Sequence, residues 1–151
     1  MNFIEKLKFM IEFEEGSAGY AYDDTSGIRV RAPVGNVTIG VGHNLDAKEL
    51  SKEVIQKILE EDLEEVLETT YNIFPTMEEL SENRQLAILD MNFQLGPAGF
   101  LSFKKFREAI IDRRWDDAAK EIENSKYYKQ APARATRKMT MITGNIFPYG
   151  S

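Results

Sequence analysis

The segment from Ser51 to Phe74, "SKEVIQKILEEDLEEVLETTYNIF", constrains this chain most. Val54, Ile55, Ile58, Leu59, Leu63, Val66 and Leu67 recur at helical spacing, Ser51 stands where an N-cap belongs, and Pro75 closes the run. At about 1.5 Å per residue, such a helix is longer than one small lobe needs, so it is expected to join two. Its glutamate-rich outer face reads as solvation. The stretch before it is rich in glycine and alternates in polarity, and the stretch after it is helical throughout. The expectation is an α+β fold built as a single domain over residues 1–151. A small antiparallel β lobe covers about 14–50, the linking helix about 51–73, and a larger helical lobe about 76–151, joined by the N-terminal helix.

That first helix shows in Ile4, Leu7 and Ile11, with Phe3 beside them. Asn2 and Glu5 have the spacing of a capping box, and Gly16 is a natural stop, which leaves Glu14 and Glu15 in the last turn. Three strands are then expected. "YAY" begins the sheet, "DDTSG" turns, "IRVRAPV" alternates, Gly35-Asn36 turns again, and "VTIGVGH" forms the last strand. Beyond Pro75, "ENRQLAILDMNFQLG" should end at Gly96-Pro97, with "FKKFREAIID" and "WDDAAKEIEN" after it. Ser125 should cap "KYYKQ", and Pro132 should open "ARATRKMTMITG".

Composition excludes several classes. Without cysteine there are neither disulfides nor thiolate metal sites, and a single histidine rules out a zinc site built on several. A net charge of −6 argues against general nucleic-acid binding. The N-terminal residues are too charged for a signal-peptide core, and no apolar run approaches a membrane span. The expectation is therefore a protein made in the cytoplasm, without stable membrane insertion. Charge is uneven: residues 1–75 carry 7 basic and 15 acidic side chains, residues 76–151 carry 12 and 10. After Glu123 only Lys126, Lys129, Arg134, Arg137 and Lys138 are charged, either as a solvated surface or as a face for an anionic polymer.

The ionisable residues of Glu14 to Leu45 are candidates for chemistry. The negative end of a helix macrodipole favours a protonated carboxyl group, and a general acid needs that form. Glu15 ends the first helix, while Asp23 and Asp24 lie in the following turn, where aspartates commonly serve only the turn. Two carboxylates in unlike environments are the working pair of glycoside hydrolysis. Thr38 lies in the same lobe, where its hydroxyl could hold a water.

The order of these residues resembles the phage-type lysozymes, glycoside hydrolase family 24. The family pattern is a glutamate, eight residues, an aspartate, then a threonine leading into a Thr-Ile-Gly-Ile-Gly-His-like strand. Here it stands as Glu15, Asp24 and the "TIGVGH" of Thr38 to His43, with Gly16, Tyr22, Thr25 and Gly27 also matching. "MNFQLGPAGF", "RRWDDAAKEI" and "SKYYKQAPARATR" extend the likeness over nearly the whole chain. There are two departures. Thirteen residues separate Asp24 from Thr38 where five are usual, and the pI of 4.9 is low for enzymes that act on acidic walls.

The resemblance implies a lysozyme-like fold and an endolysin-type muramidase. Such an enzyme cuts the β-1,4 bond between N-acetylmuramic acid and N-acetylglucosamine in bacterial peptidoglycan. It is expected to be a monomer, to need no cofactor or metal, and to reach the wall after release from the host cytoplasm. It also selects Glu15 over Glu14 and Asp24 over Asp23. Glu15 is implied as general acid, Asp24 as base or electrostatic partner, and Thr38 as the holder of the water. Asn44, Phe93, Gln94, Arg134 and Tyr127 are implied as substrate-binding, Arg134 also pairing with the catalytic glutamate; a plain core role is the alternative for Phe93, and simple packing the alternative for Tyr127. His43 is implied as structural, ion-paired with Asp62. Glu14 is left as a neighbour whose replacement should be a neutral control. The rival readings are a degenerate lysozyme fold that binds peptidoglycan or a protein, and a lytic transglycosylase, against which Asp24 speaks.

Overall fold

The computed structural model describes residues 1–150. Two compact units emerge: Met1–Glu14 together with the chain from Leu63 onward, and Glu15–Asp62. The chain is mostly helical with one small antiparallel sheet, a lysozyme-like α+β fold.

Helix α1 spans Phe3–Glu15. Its start is the expected capping box: the Asn2 N–H donates to Glu5 Oε2 at 2.8 Å, and the Glu5 N–H donates to Asn2 Oδ1 at 2.9 Å. Gly16, at φ +72°, ends it. The buried face differs from the expected one by one residue: Leu7, Met10 and Ile11 are inside, whereas Ile4 is 43% exposed.

The sheet is smaller than expected, and "VTIGVGH" is not one strand. It is a hairpin of β1 (Thr38–Ile39) and β2 (His43–Asn44), pairing Thr38 with Asn44 and Ile39 with His43. The alternation of this stretch suits a strand, but Gly40 and Gly42 both take positive φ, +60° and +66°, and reverse the chain between them. "YAY" and "IRVRAPV" meet only at an isolated bridge between Tyr22 and Arg29. With Ile28, Val30 and Val34 exposed and Pro33 in the run, that segment has neither a buried face nor a full set of donors to extend the ladder.

Helix α2 spans Lys52–Ile73, with the Val54 N–H donating to Ser51 Oγ at 3.2 Å, and it contributes residues to both units. A single 3₁₀ turn (Met77–Glu79) leads to α3 (Glu82–Leu101), capped by Ser81. α3 breaks at Gly96, whose φ of 74° and ψ of 162° no helix accepts, and Pro97 restarts it. α4 (Lys104–Ile111), α5 (Trp115–Glu123), α6 (Lys126–Gln130) and α7 (Pro132–Gly144) follow. Ser125 caps α6 and Pro132 opens α7, as expected.

The core of the helical unit is α3, which buries Leu86 to Asn92 without interruption. Phe74, Phe100, Phe106 and Phe103 form a chain of edge-on contacts, with centroids 5.8, 6.3 and 6.0 Å apart. In the smaller unit, Gly19 closes the chain against the approach to α2. Its carbonyl accepts the Leu50 N–H at 2.9 Å, and an added Cβ would lie 2.8 Å from the Leu50 carbonyl oxygen. Backbone on both sides leaves no flexible group to yield. Gly19→Ala is expected to destabilise the protein by about 1–3 kcal/mol, the usual range for overpacking, read as a lower urea midpoint at unchanged m-value. A midpoint equal to wild type would show that the contact relaxes freely.

Candidate active site

Glu15 is exposed at the end of α1. Eight residues on, the two aspartates of the turn take different roles. Asp23 serves the backbone: its Oδ1 accepts the N–H groups of Thr25 at 2.9 Å and Ser26 at 2.8 Å. Those bonds, Ser26 first, hold its carboxyl below the ordinary aspartate value. Asp24 is exposed and, among the described residues, no hydrogen bond or ion pair engages its carboxylate. The turn therefore leaves Asp24 available to solvent or ligand. Thr38 is also exposed, its hydroxyl donating to the Asn36 carbonyl at 3.1 Å and still able to accept. Glu15, Asp24 and Thr38 all belong to the Glu15–Asp62 unit.

Other site residues stand differently. Asn44 turns its Oδ1 to the backbone N–H groups of Asp46 at 3.0 Å and Ala47 at 3.1 Å, shaping the exit of β2. His43 does not pair with Asp62. Its Nε2 donates to the Lys48 carbonyl at 2.9 Å, while Asp62 is exposed on α2. A backbone carbonyl five residues away takes the place of the expected carboxylate. Phe93 and Gln94 are half-buried on α3, and the Gln94 Oε1 is buried without a protein partner. Tyr127 is 2% exposed, so its ring packs and offers no open face to a sugar, and its hydroxyl is also buried without a partner. Burial first, and then the Asp90 carboxylate, push that hydroxyl well above the ordinary tyrosine value.

The basic residues of α7 form neither a solvated face nor a surface for a polymer. Arg134 and Lys138 are buried, and with Arg137 they surround two carboxylates in the helical unit. Arg134 holds Asp90 with two hydrogen bonds, Nε to Oδ2 at 3.0 Å and Nη2 to Oδ1 at 2.6 Å, and its Nε stands 3.7 Å from Glu14. Arg137 holds Glu14 in the same way, at 2.6 and 3.0 Å. The Lys138 ammonium lies 3.1 Å from Asp90 and 3.5 Å from Glu14, and donates to the Tyr149 hydroxyl. Tyr149 in turn donates to Glu14 at 2.6 Å.

Glu14 is thus no neutral control. Its side chain is 2% exposed. Burial alone would push its carboxyl up, but the hydrogen bonds from Arg137 and Tyr149 and the charges of Lys138 and Arg137 outweigh that, holding it down at about 2. Burial pulls the Lys138 ammonium below the ordinary lysine value, against the counter-pull of Asp90 and Glu14. A signal for Glu14 was present in the sequence: it stands seven residues after Leu7 and three after Ile11, on the apolar face, whereas Glu15 lies about 100° around the helix. Lys138 likewise follows Arg134 by four and precedes Met141 and Ile142 on the buried face of α7.

With this arrangement of helices and one small sheet, the chain falls in the class of lysozyme-like α+β proteins. The phage lysozyme family model matches residues 13–139, and the chain belongs to that family. It is 27% identical over 176 aligned positions to "Probable T4-type lysozyme 2" of Dictyostelium discoideum, covering 97% of this chain and 99% of that protein. "Probable T4-type lysozyme 1" of the same organism is 28% identical with the same coverage. The "Pre-baseplate central spike protein Gp5" of Enterobacteria phage T4 is 28% identical over 170 positions, covering 93% of this chain but 28% of that protein.

The buried cluster generates a prediction with a defined sign. Glu14→Gln removes the carboxylate that Arg137 and Lys138 face and that Tyr149 donates to, and breaking a buried pair from one side costs about 3–5 kcal/mol. A carboxyl lowered from 4.5 to about 2 contributes stability that is fully present above pH 4.5 and is lost as pH falls towards 2. The stability gap between wild type and Glu14→Gln, from urea titrations, should therefore be widest above pH 5 and close steadily towards pH 2. A gap that is constant over this range would contradict the assignment.

Proposed function

We propose that the protein is a muramidase hydrolysing the β-1,4 bond between N-acetylmuramic acid and N-acetylglucosamine in bacterial peptidoglycan. The carrying observation is the division of labour at Asp23 and Asp24: the first carboxylate satisfies the turn, the second is left unengaged, and Glu15 closes the preceding helix with eight residues between it and Asp24. Membership of the phage lysozyme family supports the reading.

In this mechanism Glu15 protonates the glycosidic oxygen as the bond to the anomeric carbon breaks. Asp24 takes the proton of the attacking water or stabilises the sugar cation, and Thr38 orients that water through its acceptor lone pairs. The implied outcome is inversion. We propose no cofactor and a monomeric enzyme, made in the host cytoplasm and acting as an endolysin after release. Among the described residues no helix is long and apolar enough to cross a membrane.

A glutamine at position 15 has the shape of the donor but no acidic proton. Glu15→Gln should keep the fold and lose about 10²–10⁴-fold in rate, the usual contribution of general acid catalysis. The assay is lysis of outer-membrane-permeabilised cells together with mass spectrometry of released muropeptides. Glu12→Gln, exposed one turn earlier on α1, should match wild type. Equal rates for Glu15→Gln and wild type would move the donor elsewhere, anhydro-sugar products would indicate a transglycosylase, and wall binding without any product would indicate a degenerate binding module.

A further inference from the structure

Asp24 and Thr38 are carried by separate pieces of backbone, with thirteen residues between them. Asp24 lies in a turn whose arms meet at the Tyr22–Arg29 bridge, secured by the Asp23 N–H on the Ile28 carbonyl at 2.8 Å and the Val30 N–H on the Ala21 carbonyl at 2.9 Å. Thr38 opens β1, which pairs only with β2. Among the described residues, no backbone hydrogen bond ties the arms of that turn to β1. The intervening segment, with Ile28 69% and Val34 92% exposed, has no core of its own to set the spacing.

Side chains make the connection, and they converge on Asp46. Its Oδ2 accepts the N–H of Val37, the residue before Thr38, at 2.8 Å. Its Oδ1 faces Arg29 Nη2 at 3.4 Å and Arg31 Nη1 at 3.5 Å. Arg29 is the residue that closes the Asp24 turn, and its guanidinium lies 5.0 Å from the centre of the Tyr20 ring. The Asp46 N–H is itself held by Asn44 Oδ1. With side chains 17% and 26% exposed, Asp46 and Arg29 are shielded more than an open surface pair, so their attraction is less screened. One carboxylate thus grips the backbone beside Thr38 with one oxygen and the base of the Asp24 turn with the other.

We propose that Asp46 and Arg29 are a positioning pair that fixes the distance between the Thr38 hydroxyl and the Asp24 carboxylate, and hence the place of the attacking water. The inference rests on the hydrolytic reading above. Neither residue touches substrate; both act through Thr38 and Asp24.

The test is a double-mutant cycle on soluble peptidoglycan fragments, with kcat and KM measured for wild type, Asp46→Ala, Thr38→Ala and the double variant. A small misplacement of a reacting group can cost up to about 100-fold. Each single variant should lower kcat about 10- to 100-fold with KM little changed. The double variant should lose no more than the worse single one, because the clasp has nothing left to position once the hydroxyl is gone. Asp46→Asn retains an acceptor for the Val37 N–H and should recover part of the rate. Arg29→Met keeps the stem over Tyr20 and removes the cation, and it carries the same cycle should Asp46→Ala fail to fold. Losses that multiply, or an unchanged kcat in folded Asp46→Ala and Arg29→Met, overturn the proposal while leaving the hydrolase reading intact. A wild-type protein releasing no muropeptides removes both.

Discussion

Five charged side chains, four of them with almost no access to water and Arg137 partly exposed, hold the helical unit together. Glu14 at the end of α1 and Asp90 in the middle of α3 are each gripped by an arginine of α7, and Lys138 lies between them. The Tyr149 hydroxyl, buried beside them, links Lys138 to Glu14. Ions in such a place cost several kcal/mol each unless every one is paired and hydrogen-bonded. The cluster therefore specifies one docking of α1, α3 and α7, since any slip strands a charge. It also fixes the C-terminal turn, where Tyr149 meets Phe13 edge-on at 5.3 Å and Phe147 at a tilt at 5.2 Å.

Glu15, the proposed proton donor, is the next residue after Glu14 on the same helix. The two neighbouring glutamates divide the work much as Asp23 and Asp24 do. In each pair the first carboxylate is spent on structure, in a buried ion cluster or in a turn, and the second is presented outward. A donor and its partner need fixed backbone beneath them and carboxyl groups that reach solvent. A structural acid immediately before each supplies that fixity.

The smaller unit meets the same need with less material. Its hairpin is two residues to a strand, and its apolar side chains face outward at Ile28, Val34, Ile39 and Val41. Hydrophobic burial cannot hold such a segment. Glycines supply the reversals, Gly19 permits a close backbone contact at Leu50, and Asp46 gathers two arginines and a backbone N–H.

The sequence by itself determined the helices and their ends, because caps and stops are local: Asn2 with Glu5, Ser51, Ser125, Pro132, Gly16 and Gly96 act within a few residues of themselves. It also determined the family, through the order of Glu15, Asp24 and the strand-like "TIGVGH". It could not determine that this stretch folds back on itself, because alternation is the same in a strand and in a hairpin until the glycines commit to positive φ. Nor could it say that His43 reaches the Lys48 carbonyl in place of Asp62, or that Tyr127 is sealed in the core. The basic run from Arg134 to Lys138 is the clearest case. Read along the chain it is a charged tail, because the acids that neutralise it lie 44 and 123 residues away, in Asp90 and Glu14. Only the tertiary structure brings those charges together, and burial then makes the pairing obligatory.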